Sequence, residues 1–193
     1  MAIENSISKE TQFQSPVPLL RQLSKLVFGT REPDNFTKLT FYIILFYWVC
    51  FFVWSIASYL TISFRELIMT EKKIPVEDII NSRGVALGFE DGVFLDHLLT
   101  VHALGIVCWV VVLFGLILLW RKSVRYLLFV LVPVIFYAGL LLFYMSPAYF
   151  REDITFFDKS GLVIVLAASV MHFLMLKREQ TGGSINLFEE DDE

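Results

Sequence analysis

Asp96, His97, Thr100 and His102 form the densest group of polar side chains bordering an apolar run in this 193-residue sequence. A carboxylate, two imidazoles and a hydroxyl are groups that relay protons or hold a metal ion. Their spacing limits what they do together. On a regular helix Asp96 and Thr100 lie one turn apart on one face. His97 and His102, five residues apart, point about 140° from each other. The two histidines therefore do not ligate one metal from a single helix. A proton relay or ligand site here needs completion by Glu90, Asp91, Asp153 or Asp158 from the connections. The structural alternative has Asp96 as a helix N-cap, His97 among lipid headgroups and His102 hydrogen-bonded to a neighbouring helix.

His102 sits more than one turn inside its apolar run. Ionisable groups at that depth are costly and face a bundle interior or a wet cavity. His172 is comparable but lies close to the opposite boundary, so the two histidines do not bracket a single haem. The adjacent Asp158 and Lys159 are a second candidate. They are ordinary interface charges if the following span begins at Ser160, and membrane-adjacent if it begins near Ile154. The candidate ligand or proton-relay residues are thus Asp96, His97, His102 and Asp158. No catalytic residue, metal set or cofactor is expected. The chain has no phosphate-binding glycine loop, no HExxH, no nucleophile elbow and no CxxC. Cys50 and Cys108 fall inside apolar runs, where free thiols behave as small hydrophobes. No acid lies mid-span, which argues against a rotary or proton-channel subunit with a central carboxylate.

Apolar runs dominate the elements that carry these residues. The chain is 56% hydrophobic and 19% charged, against about 25% charged in soluble domains. The excess falls in runs long enough to cross lipid. The fold class expected is all-α, with four transmembrane helices and an N-terminal interfacial amphipathic helix. Residues 1–38 form a polar segment. Within it, 18–28 place Leu19, Leu20, Leu23, Leu26 and Val27 on one face and Arg21, Gln22, Ser24 and Lys25 on the other, the pattern of a helix lying in the interface. The first span is predicted over 39–64, and its length and late start make it an anchor, not a cleaved signal peptide. A connection follows over 65–97, with one short helix in IPVEDIINSRG ended by Gly84 and a turn at Glu90-Asp91-Gly92. The second span covers 98–120 and the third 126–145, with a kink expected at Pro133. The short RKSVR turn makes these two an antiparallel hairpin. A loop over 146–159 leads to the fourth span, 160–176, and an acidic tail, 177–193. Ser55, Ser58, Gly105, Gly115, Gly139, Gly161, Ala167, Ala168 and Ser169 mark expected helix contacts.

Charge orients the chain. With four spans, one side holds Lys9, Arg21, Lys25, Arg31, Lys38, Arg121, Lys122, Arg125, Lys177 and Arg178. The other holds Arg65, Lys72, Lys73, Arg83, Arg151 and Lys159. By the positive-inside rule both termini face the cytoplasm, and a bacterial plasma membrane is the expected location. The expected partners are the lipid bilayer and other membrane subunits or further copies of the chain, not nucleic acid. The expected role is a non-enzymatic subunit or assembly factor of a larger membrane complex. A proton- or ion-coupled transporter or channel component using the outer-face cluster is the alternative, and a membrane enzyme with an outer-face site is the third reading.

Overall fold

The computed structural model describes residues 33–180. The expected amphipathic helix 18–28 and the residues after 180 lie outside the described residues. In chain order the helices are α1 (Asn35–Ser63), α2 (Arg65–Lys72), α3 (Val76–Ala86), α4 (Val93–Trp120), α5 (Tyr126–Gly139, continued by a π-helical turn, Leu140–Tyr144), α6 (Pro147–Glu152) and α7 (Phe156–Gln180). There is no strand among the described residues. Four helices, α1, α4, α5 with its π turn, and α7, are long and apolar enough to cross a membrane. The protein is an all-α polytopic membrane protein.

The spans start where caps are available, not where charge ends. Asp34 caps α1 by accepting a hydrogen bond from the Thr37 amide at 3.1 Å. This starts α1 several residues before the apolar run. Gly92, with φ +80°, precedes α4, which puts Asp96 in the first turn and not at the N-cap. Thr155 caps α7: its Oγ1 accepts from the Asp158 amide at 3.2 Å and donates to Asp158 Oδ2 at 2.6 Å. α7 therefore begins at Phe156, between the two starts the sequence allowed, and continues to Gln180.

Lys122 ends α4 in the left-handed region, φ 53°. Its amide bonds to Leu119 O at 2.9 Å and the Ser123 amide to Leu118 O at 3.0 Å. This paired arrangement closes a helix C-terminus and turns the chain back into α5.

α1 packs on α4 and α7, and α5 packs on the same two helices. The core between them is aromatic at mid-height. Phe51 stacks on Trp109 at 4.9 Å and 3°, Tyr137 meets Trp109 edge-on, and Trp48 Nε1 donates to Trp109 O at 2.6 Å. Glycines allow the closest crossings. A Cβ on Gly105 would lie 2.9 Å from the Tyr137 ring, on Gly115 2.7 Å from Val130, and on Gly161 2.7 Å from the Tyr47 ring. A Cβ on Gly139, by contrast, would meet nothing within 4 Å. Both cysteines are free thiols.

The connection 65–97 holds more helix than its composition indicates. α2 (RELIMTEK) has no buried residue, so it rests on its own amphipathic pattern and not on contacts with the bundle. α3 runs through Gly84, which is a contact and not a terminator: a Cβ there would sit 2.4 Å from Phe94 Cβ. Gly88, at φ +90°, follows the end of α3. Phe94 is 2% exposed and its Cβ is fixed by the α4 backbone, so Gly84→Ala pushes α3 off the bundle. We expect amide exchange over residues 76–86 to quicken about tenfold while the spans keep their protection. Unchanged exchange would place the contact elsewhere.

Candidate functional site

The polar groups divide between the two ends of the bundle. At the loop end, α1 and α3 flank a cleft of about 480 Å³. Its lining includes Trp54, Ser58 and Thr61 from α1, Ile79 and Arg83 from α3, His102 from α4, Tyr149 from α6, and Asp153 at the C-cap of α6.

His102 is 5% exposed, and its Nδ1 has no hydrogen-bond partner among the described residues. Asp153, one of the loop acids expected to complete a site, also lines the cleft. Its carboxylate accepts from Arg83 Nη2 at 2.6 Å and Nε at 3.0 Å, and Glu152 accepts from Nη2 at 3.2 Å. The hydrogen bond and negative charge of Asp153 raise the guanidinium further above its ordinary value. Burial pushes the Tyr149 phenol up to about 12, helped by the charges of Asp153 and Asp158. Tyr149 is therefore a neutral hydroxyl at physiological pH.

α6 is set in place by Ser146, whose backbone takes φ 100°, ψ 151°. That region is costly for any residue but glycine. Its side chain compensates by capping α6, accepting from the Tyr149 amide at 3.3 Å. The strain thus sits at the joint that brings Tyr149 and Asp153 to the cleft.

The other candidates do not join His102. Asp96 is exposed, and its carbonyl accepts from Thr100 Oγ1 at 2.8 Å. His97 faces away, as its 140° offset requires, with Tyr144 tilted over it at 4.3 Å and Phe89 edge-on at 5.6 Å. Asp158 is spent on the α7 cap, and Lys159 Nζ donates to Arg151 O. No group of three or more His, Cys, Asp or Glu among the described residues is placed to hold a metal ion.

At the hairpin end a second network ties three spans and the turn. Lys122 Nζ sits 2.6 Å from Asp34 Oδ1 and 3.9 Å from Glu179. Thr37 Oγ1 donates to Asp34 at 2.6 Å and lies 2.9 Å from His172 Nε2. His172 Nδ1 lies 2.9 Å from the Tyr126 hydroxyl, which donates to Ser169 O at 2.6 Å. Thr37, Tyr126, Ser169 and His172 are all buried. His172 and His102 thus stand at opposite ends, as their sequence depths indicate. Thr37 and Tyr126 escaped the sequence reading because hydroxyl residues are common at span ends and nothing in one dimension pairs them with His172.

Burial alone would raise the Asp34 carboxyl. The hydrogen bonds from Lys122 and Thr37, with the Lys122 charge, outweigh it and hold the carboxyl well below the usual carboxylate range. A carboxyl depressed on folding adds stability that is fully present above its ordinary value near 3.8. That stability is lost as pH falls toward the folded value. Titrating purified protein from about pH 5 to pH 2 should show a stability loss beginning near pH 4. Asp34→Asn keeps the cap and should flatten that part of the curve. A wild-type curve no steeper than that of Asp34→Asn would contradict the assignment.

The chain has no match to a known protein family, and no significant match to a curated protein or a solved structure.

Proposed function

We propose that this chain is a non-enzymatic integral membrane subunit or assembly factor of a larger membrane protein complex. The observation that carries the reading is the outer face of α1, the least covered of the four spans. Leu39, Tyr42, Phe46, Val49, Val53 and Leu60 are all exposed there. Their spacing of three and four residues, then seven to Leu60, is that of a helix seam, and it brings two large aromatic rings to the same stripe. Inside the bundle the polar groups serve other ends: the hairpin-end network joins helices, Asp158 caps α7, and Arg83 clamps α3 to α6. Among the described residues, Asp96 and Asp158 are not on the lining of the cleft that holds His102, which weighs against a catalytic constellation or a proton path through this chain alone.

In this reading both termini and the basic hairpin turn face the cytoplasm of a bacterial plasma membrane. The ten-to-six division of Lys and Arg supports that orientation.

A photoreactive side chain at Phe46 or Val53, activated in native membranes, tests the proposal. It should couple to another polypeptide. The same group at Leu128, which is 65% exposed on α5, should couple to lipid. Lipid adducts alone at Phe46 and Val53 would overturn the reading.

A further inference from the structure

We propose that α3 is a lid on the loop-end cleft, latched by exposed ion pairs and able to swing about its buried C-terminal end. The inference does not depend on whether the chain has protein partners.

The two ends of α3 are held differently. At the C-terminal end Gly84 is buried, and a Cβ there would meet Phe94 Cβ at 2.4 Å. The Phe89 amide bonds to Gly84 O at 3.0 Å and the Gly88 amide to Val85 O at 3.0 Å, which closes the helix through the left-handed Gly88. Leu87 is buried, and the Phe89 ring lies 5.0 Å from that of Phe94. This end is a packed pivot.

The rest of α3 has no such anchor. Gly84 is the one buried residue of the helix. Ile79 and Ile80 line the cleft of about 480 Å³, so they border space instead of a packed wall. Charge fastens this part. Arg83 reaches Asp153 at 2.6 Å and Glu152 at 3.2 Å, and Glu77 accepts from Arg65 at 3.0 Å. All five side chains are at least 23% exposed. Exposed ion pairs are weak and screened by salt, and each shifts an equilibrium by about fivefold at most.

The chain on either side can follow the swing. Lys73 ends α2 at φ 54°, and only Ile74 and Pro75 separate it from α3. α2 has no buried residue to resist. Beyond the pivot, Gly92 has φ +80° and open space where a Cβ would lie. Swinging out carries Ile79, Ile80 and Arg83 away from the α1 wall and opens the cleft while the spans stay packed.

The test uses the full chain in phosphatidylcholine nanodiscs, with nitroxides on ketone side chains introduced at Ser82 and Phe156, read by double electron–electron resonance. Both positions are exposed, and the ketones leave Cys50 and Cys108 in place. In about 0.02 M salt the short distance should dominate. Arg83→Gln should raise the ratio of a second, longer distance to the short one by about fivefold. Raising salt to about 0.5 M should move the natural protein the same way. Asp153→Asn with Glu152→Gln should match Arg83→Gln, and joining all three should add little. A label pair on the spans, at the exposed Leu128 and Leu174, should keep one distance throughout. An unchanged Ser82–Phe156 distribution in Arg83→Gln or in high salt would overturn the proposal, as would a span pair that shifts with it. A broad, featureless distribution would overturn it too, since α3 would then be unravelling instead of swinging.

Discussion

Replacing His172 by alanine should destabilise the bundle by about 3 kcal/mol. The ring is 2% exposed, stacks on Phe36 at 5.8 Å and meets Tyr126 edge-on at 5.3 Å. Its truncation leaves a cavity among α1, α5 and α7 worth about 2 kcal/mol. With Thr37 donating to Asp34 and Tyr126 to the Ser169 carbonyl, a neutral imidazole donates to one of these two hydroxyls, and that hydrogen bond goes with it. Interhelical bonds in membranes average about 0.6 kcal/mol each. Thr37 retains Asp34 and Tyr126 retains the Ser169 carbonyl, so neither hydroxyl is left wholly unpaired and the loss does not climb further. Tyr126→Phe removes the hydroxyl and keeps the ring, and should cost only about 1 kcal/mol. Reversible unfolding in mixed micelles measures both. A His172→Ala loss below about 0.5 kcal/mol would mean that this network does not hold the helices together.

Gly115→Val should have an effect of the same size for the opposite reason, too much volume instead of too little. A Cβ at that position falls 2.7 Å from Val130 Cγ2 and 3.1 Å from the Phe129 carbonyl carbon. The Val130 methyl can turn aside, but the Phe129 backbone can move only with α5. Valine's second branch adds to the crowding, and the hairpin of α4 and α5 must open. We expect a loss of about 3 kcal/mol, at the upper end for overpacked sites. Gly139→Val is the matched control, since a Cβ there meets nothing within 4 Å. It should stay within about 0.5 kcal/mol of the natural protein. Equal behaviour of the two variants, measured by unfolding and by yield of folded protein, would remove Gly115 as the crossing point.

Both predictions rest on residues that differ in how far the sequence reveals them. The four spans are legible because lipid demands an uninterrupted apolar length, which is a one-dimensional property. Their ends are less so, because caps set them: Asp34, Gly92 and Thr155 extend or shift α1, α4 and α7 in ways that hydropathy does not register. Gly115 was visible as a small residue in a span, yet Gly139 was equally visible and a Cβ there would meet nothing within 4 Å. Which small residue marks a crossing depends on how each helix is rotated, and rotation comes from the neighbours. His102 was marked by its depth. Asp96 and Asp158, chosen by residue type, turned out to be exposed and spent on a cap. Arg83 and Tyr149 reach the cleft only because α3 and α6 fold back over the bundle end, and α3 does so on the strength of Gly84 meeting Phe94. That contact joins two segments whose pairing no local pattern announces.

The mass of the particle this chain occupies tests most directly whether it works inside a larger assembly. Native membranes can be divided into polymer-bounded lipid discs without detergent and the discs weighed by native mass spectrometry. The result expected is this 22.3 kDa chain together with at least one different polypeptide at a fixed ratio. Discs that hold this chain alone, at the mass of one copy plus lipid, would contradict the proposed role.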